Sequence, residues 1–385
     1  MSNLWSNGMK RNLWFGIGVV VVVALAIVLF VTQAKKEPGE IKIGVIAPLT
    51  GDASSAGEMA KRGINLAVEE INNEGEIRGI KLVVIYEDSK GAPKDGVSAM
   101  QKLISQYRVP AVIGGIFSSV TLAIAPISEK TKTVLLSPAS SNPQISDAGD
   151  YIFRVWPSDD FEGEIMANFI IKKLGLNKVA ILHSTDDYGV GIMKVFTKKF
   201  GEFGGNISIV ENYHEGANDF RTQLTKIKET QPPAIYIIGH YKEIAQILKQ
   251  AKELGINSQF FSVSAFEVPE LLELAGDAAE GVIYVTPMYD PTSEEKIIRT
   301  FVDKFQKKYR KKPGIVEAHA YDAVKVLAYA MEKGGISGIE IKNALYQIKD
   351  YPGVTGKITF DYKGDVIKPL RIKTVKNKKF IEYKE

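Results

Sequence analysis

The sequence predicts an α/β protein of two doubly wound lobes, each on a parallel sheet, with one apolar helix ahead of them. Three observations carry this. Apolar, β-rich runs alternate with stretches of helical apolar spacing along almost the whole chain, the pattern of βαβ units around a parallel sheet. The runs form two series that break near Trp156 and Pro157, and one sheet holding all of them would be unusually large. Residues 13–31 carry no charged side chain.

That uncharged stretch comes first. Its nineteen residues, Leu13 to Val31, rise ~1.5 Å each as a helix and nearly span a hydrocarbon core of ~30 Å. Lys10 and Arg11 precede it and Lys35 and Lys36 follow, so flanking charge gives no clear orientation. A cleavable signal has a shorter apolar region of about 7–15 residues, although Thr32-Gln33-Ala34 offers a cleavage site. The expectation is an uncleaved membrane anchor over residues 1–40, with a removed export signal as the alternative. Both put the rest of the chain outside the cytoplasm.

After the linker KKEPGE, the first series reads IKIGVIA (41–47), IKLVVIY (80–86), PAVIGG (110–115) and TVLLS (133–137). The second reads KVAILH (178–183), ISIVENY (207–213), AIYIIG (234–239), FFSVS (260–264) and GVIYVTP (281–287). Helical spacing then dominates from Ser293 to Lys349, stops at Tyr351-Pro352-Gly353, and gives way to three short runs, KITF, LRIKTV and KFIEY. In all, 385 residues with 45% apolar side chains suffice for two cores.

Composition excludes several functions. The net charge is +4 from 49 basic and 45 acidic residues. The largest basic cluster, Lys307 to Lys312, reads as the cationic end of a helix stopped by Pro313 and Gly314, so no nucleic-acid partner is expected. Cysteine is absent and the four histidines stand far apart, which leaves no thiol chemistry and no metal-ligand pair. GDASSAGE (51–58) lacks the Lys-Ser/Thr of a phosphate loop, YGVGIM (188–193) has two of the three glycines of a dinucleotide fingerprint, and no G-x-S-x-G elbow occurs. Paired carboxylates such as Asp186-Asp187 read as solvated. No enzyme, cofactor or metal is expected.

What the strand-end loops hold is hydroxyls. GGIFSSVT (114–121) and VLLSPASSNP (134–143) end adjacent strands in Ser118, Ser119, Thr121, Ser140 and Ser141. Open α/β sheets bind ligands beyond the carboxyl ends of their strands. Hydroxyls, backbone N–H groups and helix N-termini gathered there suit a carboxylate or another small anion-bearing group. This is recognition chemistry.

At this point the sequence resembles the type I periplasmic solute-binding proteins of branched-chain amino acid ABC transporters, the leucine/isoleucine/valine-binding group. The match spans most of residues 41–385 and rests on IKIGVIAPLTGDASSAGEMAKRGINLAVEEIN, IGGIFSSVT, LLSPASSNP, HSTDDYGVGI, AQILKQAKELGI, LAGDAAEGV, AYDAV and VTGKITFDYKGD in that order. The resemblance implies two Rossmann-like lobes joined by three crossover strands near Ser158, Pro287 and Asp365, closing over a ligand by hinge motion. Lobe 1 would hold residues 41–158 and 287–365, and lobe 2 residues 159–286 and 366–385.

It also implies roles. Ser118 would meet the ligand carboxylate, Ala139 would give a backbone carbonyl and Ser141 a hydroxyl, and Tyr188 would cover the ligand on closure. Ser119 and Ser140, the second members of their pairs, sit beside them, with helix capping as the other reading. A second-lobe tyrosine of the family falls on His240, and the acid that holds the ligand ammonium falls on Ser264, with Glu267 the nearest acid. If Glu267 reaches the cleft, the ligand is an α-amino acid, and Ala56, standing where the family has an aromatic wall, admits a side chain larger than leucine's. If it does not, the ligand is a carboxylate or amide without the ammonium.

The expected protein is thus a monomeric, membrane-tethered receptor outside the cytoplasm that hands a small-molecule ligand to an ABC permease. Two rivals are a ligand-sensing ectodomain and an enzyme on the same scaffold. Against the first, the twelve residues before the apolar run are too few for an output domain.

Overall fold

The computed structural model describes residues 39–384, so the apolar run and most of its linker lie outside the described residues. Among the described residues no helix is long and apolar enough to cross a membrane.

The chain opens with β1 (Ile41–Ala47), α1 (Ser54–Asn73), β2 (Leu82–Asp88), α2 (Pro93–Ser105), β3 (Ala111–Gly114), α3 (Ser118–Thr131), β4 (Val134–Ser137) and β5 (Ile152–Arg154). These five strands form one parallel sheet in the order β2-β1-β3-β4-β5. Helices cover both faces, so the strands read as unbroken apolar runs. Ile43, Val45 and Ala47 face one core while Ile46 faces the other, with Leu103 and Ile124. The order reverses between β1 and β3, which makes their carboxyl ends the crevice of the sheet. β5 falls outside the two series read from the sequence, since three residues are too few to show an alternation.

The second unit runs α4 (Asp159–Asn168), β6 (Lys178–Ser184), α5 (Asp187–Glu202), β7 (Asn206–Tyr213), α6 (Arg221–Glu229), β8 (Ala234–Ile238), α7 (Tyr241–Glu253), β9 (Gln259–Ser262), α8 (Pro269–Ala275) and β10 (Ile283–Pro287). The chain then returns to the first core through α9 (Lys296–Tyr309), α10 (Ile315–Gly334) and α11 (Gly338–Tyr346), followed by the small hairpin β11 (Tyr351–Gly353) and β12 (Gly356–Ile358). Gly63 of α1 lets α10 approach closely: a Cβ there would lie 2.2 Å from the Glu317 carbonyl oxygen.

Finally β13 (Leu370–Lys376) and β14 (Lys379–Glu382) rejoin the second sheet, ordered β14-β13-β10-β9-β8-β6-β7. Both final strands pair antiparallel, at the edge of an otherwise parallel sheet. The alternation of runs does not reveal such an edge.

Two cores result. Val155, Trp156, Tyr289 and Val366 pack in the first, and Met166, Val285 and Val375 in the second. The chain therefore passes between the units three times. The lobes are closed on each other: Asn142 Nδ2 donates to the Asp187 carbonyl at 2.5 Å, Lys242 Nζ donates to the Asp52 carbonyl, and the Phe117 and His240 rings lie 4.9 Å apart.

Candidate functional site

The crevice of lobe 1 is built around the carbonyl of Gly115. Gly115 has φ +61°, and a Cβ there would lie 2.0 Å from Thr121 Oγ1, so the turn after β3 requires glycine. The hydroxyls of Thr121, Ser137 and Ser140 cluster on that carbonyl, Thr121 at 2.6 Å and Ser137 at 3.1 Å, and Thr121 and Ser140 lie 2.6 Å apart, so one of these two hydroxyls can donate to the other in place of the carbonyl. Ser140 thus ties the two serine loops together.

Ser118 sits in the first turn of α3. Its Oγ accepts the amides of Ser141 at 3.3 Å and Asn142 at 3.2 Å. A hydroxyl has two lone pairs and one hydrogen, so what remains is an O–H donor beside a helix N-terminus, where anions are favoured.

Across the cleft, Asp186 caps α5. It accepts Gly189 N at 3.0 Å, Ser184 Oγ at 2.5 Å and His240 Nε2 at 2.9 Å. Burial opposes its charge, yet the bond to His240 and the others hold Asp186 down at about 2. Burial likewise works against the His240 imidazolium, but Asp186 outweighs it and raises the His240 pKa. His240 stands in the cleft stacked on Tyr188, with ring centroids 5.4 Å apart.

Between the lobes lies a cavity of about 100 Å³. Of the residues expected at the site, the structure brings Ala56, Ser118, Ala139, Ser141, Tyr188, His240 and Ser264 to its wall, with Met59, Phe117, Trp156, Tyr241 and Val316 among the rest. It leaves out three. Ser140 is bonded as above, Ser119 is half-buried on α3 outside the cavity, and Glu267 points elsewhere. A larger groove, about 1290 Å³, follows β13, β14 and the second crossover without touching the serine loops.

Glu267 is a correction to the sequence reading. The one-turn helix Ser264–Phe266 aims it at the sheet, where Lys373 Nζ donates to Glu267 Oε1. Lys373 stands opposite Tyr284 in the antiparallel register of β13 and β10. A cation fixed there draws the acid away from the cleft. Ala56 lines the cavity at the place expected for a wall residue. Met59, Trp156, Tyr241 and Val316 line the same wall, and the space stays at about 100 Å³.

The acids of the site are two that sequence reasoning missed. Asp159 and Glu162 occupy the first turn of α4, and both are buried. Glu162 Oε1 accepts the amide of Ser264 at 2.7 Å. Among the described residues, neither carboxylate oxygen of Asp159 has a hydrogen-bond partner, nor do the hydroxyls of Tyr188 and Tyr236. Ser141 stands close enough to favour the ionised Asp159, without bonding geometry.

Desolvation pushes Asp159 well above the carboxylate range, with the charge of Glu162 adding to it. It raises Glu162 to about 7, against the bonds from Ser264. Burial and then these two charges also raise the phenols of Tyr188 and Tyr236. Arg154, the nearby cation, is already paired with Asp365. An S-D-D-F-E start resembles any helix N-terminus capped by Ser158, so the only signal was its place at the first crossover.

Ser118 thus offers a donor at the cavity wall, and the unpartnered carboxyl of Asp159 lies buried beside the wall residues Ser141 and Tyr188. Among the described residues no cluster of three or more His, Cys, Asp or Glu could hold a metal ion.

Two α/β lobes linked by three passages of the chain and closed over a largely apolar cavity with hydroxyls at one side define a hinge-closing solute-binding protein. The chain belongs to the periplasmic binding protein family, whose sequence model matches residues 40–379. It is 29% identical over 330 residues to the leucine-, isoleucine-, valine-, threonine-, and alanine-binding protein of Pseudomonas aeruginosa, covering 85% of this chain and 87% of that one. Among solved structures it is similar to a leucine binding protein from Thermotoga maritima, at TM-score 0.85 and 34% identity over 89% of this chain and 98% of that one. It is also similar to a branched-chain amino acid transporter substrate binding protein from Streptococcus pneumoniae in complex with isoleucine. There the TM-score is 0.82 and the identity 30%, over 89% and 97% of the two chains.

Proposed function

We propose that this chain captures an aliphatic α-amino acid of the branched-chain type outside the cytoplasm and delivers it to an ABC permease by opening and closing its two lobes. One observation carries the reading: a hydroxyl donor on the cavity wall and a buried, unpartnered acid beside that wall together suit a zwitterion. The Ser118 O–H and the start of α3 meet the carboxylate, with the Ser141 hydroxyl beside them. Asp159, buried with both oxygens unpartnered, meets the ammonium, aided by the Ala139 carbonyl. An unpaired buried charge is costly, and a ligand cation relieves that cost. Tyr188, His240, Ser264 and Ala56 complete the walls, which Met59, Trp156, Val268 and Val316 make largely apolar.

Residues 41–158 and 287–365 act as one lobe, and 159–286 with 366–385 as the other. The uncharged run Leu13–Val31 keeps the receptor on the membrane, as a monomer beside its permease. N-terminal sequencing of the membrane fraction tests the anchor: a mature chain starting at Lys35 refutes it.

The ligand class is tested by thermal shift with the twenty amino acids beside their deaminated acids and amides. Leucine, isoleucine or valine should raise the melting temperature by mass action. Stabilisation by the deaminated compounds alone refutes the amino-acid reading.

A further inference from the structure

Arg154 ends β5 where the chain leaves lobe 1, and no part of it reaches solvent. A guanidinium has five N–H donors in a rigid fork, and here all five are engaged. Nε donates to Asp365 Oδ1 at 2.6 Å, and Nη2 to Asp365 Oδ2 at 3.0 Å and Ser146 Oγ at 2.7 Å. Nη1 donates to the carbonyls of Ser141 at 2.8 Å and Asn142 at 2.9 Å.

These partners all lie in lobe 1, but Ser141 and Asn142 face the cleft while Asp365 adjoins the third passage to lobe 2. Ser141 lines the cavity, and its carbonyl also accepts the amide of Asp159 at 2.9 Å, in the first turn of α4. Asn142 reaches across the cleft to Asp187, the neighbour of Tyr188. Asp365 opens the third crossover. Three residues on, Lys368 Nζ donates to Thr355 Oγ1 at 2.5 Å, and Thr355 bonds Asp322. Residues 365–368 are thereby fixed to lobe 1. Bending then falls at Pro369, whose carbonyl accepts Met288 N from the second crossover at 3.2 Å.

We infer that Arg154 is a positioning residue that couples occupancy of the Ser141–Asn142 loop to the angle between the lobes. Its planar fork grips the loop carbonyls with one nitrogen and the hinge carboxylate with the others, so a shift of the loop displaces Asp365. Lysine keeps the charge but concentrates its donors on one atom and cannot hold both sides. The inference rests on the closing receptor proposed above and adds what transmits closure.

The natural absence of cysteine makes paired labelling clean. Lys94→Cys and Lys249→Cys put one spin label on each lobe of the full chain, and interlobe distances are measured with and without L-leucine beside calorimetric titration. Arg154→Lys and Asp365→Asn should each weaken leucine binding at least tenfold, shrink the leucine-induced distance change, and be non-additive when combined. Arg62→Lys, which disturbs the Arg62–Glu317 pair inside lobe 1, should lower the melting temperature but leave both readouts intact.

A folded Arg154→Lys with the full distance change overturns the inference, whether or not its affinity falls. Should Arg154→Lys fail to fold, Asp365→Asn decides by the same criteria. A wild type indifferent to leucine contradicts the ligand reading instead. The coupling is then read from the unliganded distance distribution, which Arg154→Lys should broaden and which an unchanged width would refute.

Discussion

The amide of Ser264 donates to Glu162 Oε1 at 2.7 Å across 102 positions of sequence. Where the resemblance to the branched-chain binding proteins calls for an acid, this chain places a serine whose backbone is bonded to an acid from another element. Glu162 is one helical turn beyond Asp159, so the two share a face of α4. In the proposed site the acid for the ammonium thus comes from α4 instead.

Removing that charge without changing shape is the most direct check. Asp159→Asn should weaken amino-acid binding by about ten- to a hundred-fold, since a hydrogen bond to a charged group contributes about 1.5–3 kcal/mol. The same change should raise the melting temperature of the unliganded protein, because a buried carboxylate without a partner is destabilising. Titration calorimetry and thermal melts read both. Unchanged affinity removes Asp159 from the site.

Acidity gives a second check. The folded protein holds Glu162 at about 7 against an ordinary 4.5, with burial as the largest cause, and Asp159 is raised as well. The folded state therefore binds more protons than the unfolded one between roughly pH 4.5 and 7, and the unliganded protein loses stability from these groups as pH rises through that window. Ligand ammonium favours the ionised pair, so affinity should climb over the same range. Binding at pH 6 should release protons, seen as a dependence of the calorimetric heat on buffer ionisation enthalpy. Glu162→Gln should reduce that release, and an equal release in the variant contradicts the assignment.

The serines separate by what their hydroxyls touch. Ser118→Ala and Ser141→Ala should each weaken binding by about ten-fold or more. Ser118→Ala should also cost about 1–2 kcal/mol of stability, because two loop amides lose their acceptor. Ser140→Ala should lower stability with a smaller effect on affinity, since Ser140 bonds Gly115 and Thr121 rather than the cavity. Ser119→Ala should change neither. Denaturant melts beside titrations distinguish the four variants, and a Ser140→Ala that loses affinity at full stability contradicts this division.

Much of this was legible in the sequence, and the reasons differ by residue. Unbroken apolar runs such as IKIGVIA show because parallel strands are buried on both faces. Ser118 and Ser141 show because hydroxyls crowded at two adjacent strand ends are unusual in a crevice. Asp159 and Glu162 do not show, because acids after a serine cap suit every helix dipole. Only three-dimensional structure tells that this helix start is buried beside the cavity residues Ser141, Tyr188 and Ser264. Glu267 misleads for a related reason: proximity in sequence to Ser264 says nothing about which way a one-turn helix aims the next side chain.

Glu267 also supplies the sharpest contrast with Asp159. Both are buried acids of lobe 2, and a reading from sequence position alone favours Glu267 as the ammonium partner. Its Oε1 already accepts Lys373 Nζ, and each side chain of the pair is only 15% exposed. Removing one partner of a largely buried ion pair leaves the other uncompensated, which costs up to about 3–5 kcal/mol when burial is complete. Glu267→Gln keeps the shape and an acceptor oxygen, so a loss of about 1–3 kcal/mol is expected here. Because Glu267 is already paired with Lys373, affinity for leucine should stay within two-fold of wild type once the variant is folded. Asp159→Asn should show the opposite pattern, with affinity lost and unliganded stability gained. Measuring both variants by chemical denaturation and calorimetric titration therefore assigns the ammonium site by a crossing of two effects. If Glu267→Gln loses affinity as Asp159→Asn does, the acid of the cleft has been misplaced.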